Sequence, residues 1–322
     1  MRSPLLLLLL FHVLSVSAQQ LTEIPRDLLG RDFIISARVE KVNRDWWLGK
    51  KYICPGVRLY DPQLIHFAVQ GDSLVITTEV TRFHPEPVVL PIASVEGDSY
   101  LVDLAPYFLH IHKGLDILSV RNLPGKVSRS EVGMMRGDIR HLEVRLEYTY
   151  DTDSIPYELS LRKSLLLLPE PAMQQRPADP RLSYRDNEHP YINRFRVEDD
   201  TEIVFHVDNH FPELWQNAIK QGIEDWNLAF KAIGHPHLLK ALTFDESGKD
   251  FDPYDFTSNT FFCVESEQAN AEGRHWIDPR SGEILQADVL FYSNVIAKLK
   301  AWIFMQTAAY NPEVRGEIND SL

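Results

Sequence analysis

The sequence predicts an α+β chain in which a β-rich amino-terminal domain precedes an α+β domain. Three observations carry that expectation. Apolar and polar residues alternate with period two up to about residue 168, a proline-rich stretch follows, and from Pro212 apolar residues recur at helical spacing.

The front of the chain reads first. Met1-Arg2 supplies a positive start, residues 5–16 an apolar run, and Val16-Ser17-Ala18 small residues ahead of Gln19-Gln20. This is the pattern of a secretory signal peptide over 1–18. The run is shorter than the ~20 apolar residues that span a bilayer. Cleavage is therefore expected to leave no transmembrane segment, with export to a periplasm, a cell surface or the medium. No cysteine follows the cleavage site to signal lipid attachment.

With 44% hydrophobic and 11% aromatic residues, the roughly 300 mature residues suffice for real cores and about two domains. A formal charge of −13 with no basic stripe disfavours nucleic acid as a partner. Nothing in the composition specifies an oligomeric state. Cys54 and Cys263, which this reading puts in different domains, are expected as two unpaired, buried thiols.

Residues 19–168 form the β-rich domain. Two apolar runs, 64–69 and 74–80, flank Gly71-Asp72, and runs 88–92 and 100–104 flank Gly97-Asp98, which reads as two hairpins. Leu142, Val144, Leu146, Tyr148 and Tyr150 alternate with Glu143, Arg145, Glu147 and Thr149, a strand with one buried and one wet face. A last strand over 157–168 closes the domain. Pro169, Pro171, Pro177, Pro180 and Pro190 then deny helix and central strand to a connector placed at 169–198, expected to run extended over a surface.

The second domain, 199–322, opens with a strand at 202–207. Pro212 suits a first helical position, and Trp215, Ala218, Ile219, Ile223, Trp226, Ala229, Phe230 and Ile233 make one apolar stripe ended by Gly234. The stripe puts both tryptophans in the core. A turn, Asp278-Pro279-Arg280-Ser281-Gly282-Glu283, leads to a strand at 284–292, and a helix from about Asn294 carries Val295, Leu299, Trp302 and Ile303 on one side.

Several phrases then carry a specific likeness. Tyr191-Ile192-Asn193-Arg194-Phe195-Arg196, Trp226-Asn227-Leu228-Ala229-Phe230, Asp278-Pro279-Arg280-Ser281-Gly282-Glu283-Ile284 and Ala287-Asp288-Val289 resemble a family of large secreted bacterial zinc-dependent metallopeptidases with a metzincin-like catalytic domain. Leu168-Pro169-Glu170-Pro171-Ala172-Met173, Arg176-Pro177-Ala178-Asp179-Pro180-Arg181 and Glu23-Ile24-Pro25-Arg26-Asp27-Leu28-Leu29-Gly30-Arg31-Asp32 resemble other parts of the same proteins. The resemblance implies a β-rich domain followed by the front half of a zincin-like α+β catalytic domain. It also implies peptide or protein substrates and, in the full-length family, a zinc that polarises the peptide carbonyl and activates water, with a glutamate as general base. In the family the segment after the second helix leads into H-E-x-x-H, whose two imidazoles share one helix face beside a carboxylate. Residues 312–322 contain no such motif. The expectation is thus a fragment inactive as it stands, with no catalytic or metal residue to carry over and no zinc bound.

What carries over is scaffold: Ala287, Asp288, Val289, Leu290, Phe291 and Tyr292 are expected as an edge strand along which an extended peptide lies by strand addition. The pairs His110 and His112, His206 and His210, and His235 and His237 have no adjacent acidic partner in a metal-binding pattern, and are expected as surface or capping groups. A G-x-S-x-G motif and a phosphate-cradling glycine loop are missing. The competing expectations are a non-enzymatic exported peptide- or partner-binding protein on the same scaffold and, if exposed aromatics cluster on the β domain, a glycan-binding module.

Overall fold

The computed structural model describes residues 20–44, 46–48, 51–58, 60–79, 85–119, 125–152, 155–179, 181, 191–266 and 270–311. Residues 1–19, on which the expected signal peptide falls, residues 180 and 182–190 of the connector, and residues 312–322 lie outside the described residues.

Alternation in the amino-terminal half produces one nine-stranded sheet. Its strands are β1 (Leu21–Pro25), β2 (Phe33–Val42), β5 (Gln63–Gln70), β6 (Ser73–Glu79), β7 (Val88–Glu96), β8 (Ser99–Asp103), β9 (Lys126–Asp138), β10 (His141–Asp151) and β11 (Tyr157–Leu167). They lie in the order β1-β8-β7-β6-β5-β2-β11-β10-β9, every pair antiparallel. Strands β3 (Trp46–Leu48) and β4 (Lys51–Ile53) form a separate hairpin. Both expected hairpins are present: Gly71-Asp72 joins β5 to β6 and Gly97-Asp98 joins β7 to β8.

Two central strands are buried on both faces. Along β2, Phe33, Ile35, Ala37 and Val39 enter the main apolar core, whereas Ile34, Ser36 and Arg38 are buried on the opposite side. Along β11, Leu159, Leu161 and Leu165 join the same core, while Ser160, Arg162 and Ser164 are buried behind them. Lys163, on the core side, is fully buried and donates to the carbonyls of Phe108 and His110 and to Asp116, which fixes the short helix α1 (Ala105–Leu109) and the loop after it over the sheet. The buried polar side is where the second domain sits.

That domain is a five-stranded sheet in the order β13-β12-β14-β16-β15. Strands β12 (Ile203–Val207), β13 (Leu239–Thr243), β14 (Asn259–Val264) and β16 (Glu283–Tyr292) run parallel, and β15 (Ala271–Asp278) is antiparallel to β16. A mostly parallel sheet has two faces to cover. On one, Phe262, Val264, Leu290 and Tyr292 merge into the amino-terminal core with Ile53, Cys54 and Val57, so a single cluster crosses the connector. On the other, Phe261, Val289 and Phe291 are only half-buried, against Phe211 and Trp215.

The helices cover that second face incompletely. Where one helix was expected there are two, α2 (Glu213–Glu224) and α3 (Asn227–Lys231), interrupted at Asp225 and Trp226, and neither buries a residue. Trp215 is half-buried beside Phe291, but Trp226 is 63% and Leu228 77% exposed, so the core placement of both tryptophans fails. The spacing made a stripe, but among the described residues no layer lies over it. Helix α4 (Val295–Thr307) likewise buries only Val295 and exposes Leu299, Trp302, Ile303, Phe304 and Met305.

The described parts of the connector are more fixed than its prolines suggested. Met173 and Tyr191 are buried, Pro177 bridges Tyr191, and the Ile192 amide donates to the Arg176 carbonyl. The next residues pair with the second domain: the Arg194 amide donates to the Gly282 carbonyl, the Ile284 amide donates to the Arg194 carbonyl, and Arg196 clasps Glu283 through two bonds of 2.8 and 2.7 Å. Gly282 makes this approach possible, since its φ is +76° and a Cβ there would lie 2.6 Å from the Tyr191 ring and 2.8 Å from the Ile192 carbonyl.

Gly282→Ala should therefore destabilise the chain by at least the ~1–2 kcal/mol of a left-handed alanine, with the clash in addition, and open the connector to protease. Denaturant midpoints and digestion time courses measure both effects. An unchanged midpoint with unchanged cleavage would remove Gly282 from the clasp.

Candidate functional site

The polar groups of the molecule concentrate at the seam between the two sheets. β16 carries Asp288 into it, 3% exposed. Arg38 donates to its Oδ2 at 3.3 Å and Arg58, just after β4, at 2.5 Å. Its Oδ1 accepts from Gln286 Nε2 at 3.0 Å and from the Thr260 amide at 3.3 Å. Gln286 also accepts from Arg58 and donates to the Ser258 carbonyl. The Arg58 guanidinium lies 4.1 Å from the centroid of the Trp276 ring, a cation–π contact between the domains. In the turn after β4, Gly56 presses against β14 and β16 so closely that a Cβ there would stand 2.7 Å from Leu290 and 3.3 Å from Phe262.

A second cluster lies where the 252–258 loop crosses β9, β10 and β11. Arg162 donates to Glu40 at 2.8 Å and to Asp252 at 2.7 Å. Burial opposes its charge, but these two carboxylates outweigh burial and raise its pKa. Arg136 reaches Asp252 at 3.0 Å and Asp255 at 3.3 Å. Between them His141 Nε2 stands 3.1 Å from Glu143 Oε1 and 3.4 Å from Asp255 Oδ1. Glu143 is buried, and its oxygens also accept from the Phe256 amide at 3.0 Å and Ser164 Oγ at 2.7 Å.

The third contact explains the Asp278-Pro279-Arg280 turn. Arg280 donates to Asp278, to Asp32 Oδ2 at 2.7 Å and to the Pro169 carbonyl at 2.9 Å. One side chain thus ties the second domain, the amino-terminal sheet and the connector. Burial opposes ionisation of Asp32, but hydrogen bonds from His66 and Arg280 outweigh it and hold its pKa below the usual carboxylate value.

The expected peptide strand does not survive as an edge. β16 is paired on both sides, with β14 and with β15, because β15 returns antiparallel and takes the outer position. Its six residues divide by face: Asp288, Leu290 and Tyr292 point into the seam, and Ala287, Val289 and Phe291 lie on the half-covered side. The open edge is β15, which has one strand partner among the described residues. At the opposite end the edge of β13 is blocked: Asn227 bonds both the carbonyl and the amide of Leu239, and Glu224 accepts from the Ala241 amide.

Of the paired histidines, His112 is not a surface group. It is buried against Tyr107, and burial together with the Lys163 charge pushes its pKa down to about 3. The two cysteines do not form a disulfide with each other: Cys54 is buried among residues of both domains and Cys263 is only half-buried. The residue that sequence reasoning missed is His141. His141-Leu142-Glu143 places an imidazole and a carboxylate on one face of a strand, a signal readable in principle, but Asp255 comes from more than 100 residues away. Compared with family models, with curated proteins and with solved structures, the chain matches none.

Asp288→Ala should destabilise the chain by about 3–5 kcal/mol, because it leaves two buried guanidiniums uncompensated. Chemical denaturation measures this, and a loss below about 1 kcal/mol would mean that water replaces the carboxylate without cost and that Asp288 does not hold the seam.

Proposed function

We propose that this chain is the export leader, β-rich domain and front part of the catalytic domain of a secreted zinc-dependent metallopeptidase. Hydrolysis belongs to the complete protein, and residues 1–322 do not perform it alone. The observation that carries this reading is the convergence of the resembling phrases. Tyr191–Arg196 and Asp278–Ile284 are bonded to one another, and beside them a mostly parallel sheet presents one antiparallel strand, β15, with a free side. A strand of that kind accepts an extended peptide through main-chain hydrogen bonds. The half-covered sheet face and the exposed apolar sides of α2, α3 and α4 further support a domain that continues beyond these elements.

The residues present do not fit a catalytic zinc. H-E-x-x-H does not occur in the chain. Among the described residues one group, His141, Glu143 and Asp255, gathers three ligand-type side chains. There Asp255 Oδ1 already accepts from the Thr257 amide and hydroxyl, at 2.9 and 2.7 Å, and Arg136 pairs with its Oδ2. Arg162 stands 3.5 Å from Glu143 Oε2. A dication would have to displace hydrogen bonds and sit beside two guanidiniums, so no chemical step is assigned to it. This chain's own contribution is to hold and orient substrate along β15.

The second reading, an exported protein that binds extended peptides without cleaving them, is favoured by the same free edge. The two separate on extension. If the reading frame downstream of Leu322 encodes H-E-x-x-H, the extended protein should cleave an unstructured peptide in a chelator-sensitive manner, whereas the 322-residue chain should bind it only. A stop codon with no such frame would sink the peptidase reading and leave the binding one.

Proline scanning tests the edge in either case. Neighbouring residues of a strand send their N–H groups to opposite sides, so of Gly273→Pro and Arg274→Pro one should abolish peptide binding with little loss of stability and the other should weaken the β16 ladder. Peptide anisotropy and melting curves separate these effects, and binding unaffected by either variant would exclude β15.

A further inference from the structure

The His141 cluster is exposed enough to exchange protons and buried enough to feel them. The side chains of His141, Asp255 and Glu143 are 32%, 19% and 2% exposed. Glu40, Glu143, Asp252 and Asp255 bring four carboxylates. Arg136, Arg162 and Arg145, the last shared with Glu147, bring three guanidiniums. Arg38 touches the loop at the Asp255 carbonyl and over the Tyr254 ring, and its charge is committed to Asp288. Asp138, opposite His141 on β9, is turned to the Arg140 amide. With Glu147 counted, five carboxylates against three guanidiniums leave a negative excess at the contact, and an imidazolium offsets one unit of it.

We propose that His141 is a proton-operated clasp between the domains: its imidazolium draws the 252–258 loop onto β10 through Glu143 and Asp255, and on losing its proton it leaves two carboxylates facing each other and slackens the loop. The hydrogen bond to Glu143 raises the His141 pKa from its ordinary 6.5, Asp255 adds to this, and burial and Arg136 oppose it. A pKa raised by folding stabilises the closed state fully below the unfolded value, and this stabilisation is lost as pH rises through the folded value. The clasp therefore closes on acidification and loosens toward alkaline pH.

The loop matters beyond itself. Phe256, whose amide is held by Glu143, packs in a small core with Ile34, Leu168 and Trp276. Trp276 belongs to the open strand β15. Slackening the loop frees one wall of the strand on which the proposed peptide would lie. The proton effect on the loop does not depend on that reading, and is measured without any peptide.

Hydrogen exchange over 252–258 in the full chain, corrected for the intrinsic pH dependence of exchange, tests the clasp. Protection should fall between pH 5.5 and 8.5 by about tenfold for each unit that separates the folded and unfolded His141 pKa values, and His141→Gln should abolish that pH-dependent part while leaving distant segments unchanged. An NMR titration of the His141 ring should give a value above 6.5. If His141→Gln does not fold, Asp255→Asn serves instead, and should lower the His141 value and flatten the exchange profile. Equal pH dependence in wild type and variant, or a ring that titrates at or below its ordinary value, would overturn the proposal.

Discussion

A sheet that is apolar on both faces needs a layer over each, and the second domain meets this constraint on one side by using the outer face of another domain. Phe262, Val264, Leu290 and Tyr292 are core residues only because Ile53, Cys54, Val57 and the strands around them lie above. Most of the remaining architecture follows. β2 and β11 must be buried twice, which accounts for buried Ser36, Arg38, Arg162 and Ser164 on strands that would otherwise have a wet face. The polar residues on that face must then find partners, and the two arginines find them in Asp252, in Asp288 and in the Asp255 carbonyl. Fusion of the two cores thus brings a chain of buried charge pairs with it, since a lone buried charge would cost several kcal/mol.

The seam divides the labour between packing and charge. Apolar contact supplies affinity without direction, whereas Arg38 and Arg58 on one carboxylate, and Arg196 forked on Glu283, admit one register only. The Arg280 turn adds the connector to this register. A stretch rich in prolines becomes fixed not through secondary structure of its own but through carbonyls and rings that other elements hold.

Much of this was legible in advance. The strand from His141 to Asp151, the two glycine hairpins, the turn at Asp278 and the strand after it all follow from period and turn chemistry. Order was not. Period two tells which face Asp288 and Leu290 share, but not that β15 comes back to occupy the outer position beside them. Helical spacing marked Trp215 and Trp226 as one stripe, but whether a stripe is covered depends on elements elsewhere. His141 was hidden for the same reason: Glu143 is two residues away on its own strand, and the loop that gives the pair its meaning lies far along the chain.

The distance between partners has a consequence for how the protein comes into being. Arg38 and Asp288 are 250 residues apart, Arg58 and Asp288 230. A chain made from its amino terminus exposes the first sheet long before its counter-charges emerge. During that interval the outer face of β2 and β11 is a cationic, partly apolar surface without its cover. The amino-terminal domain therefore has to wait unfinished, and the arrival of the strand with Asp288 is the event that turns two half-folded pieces into one body.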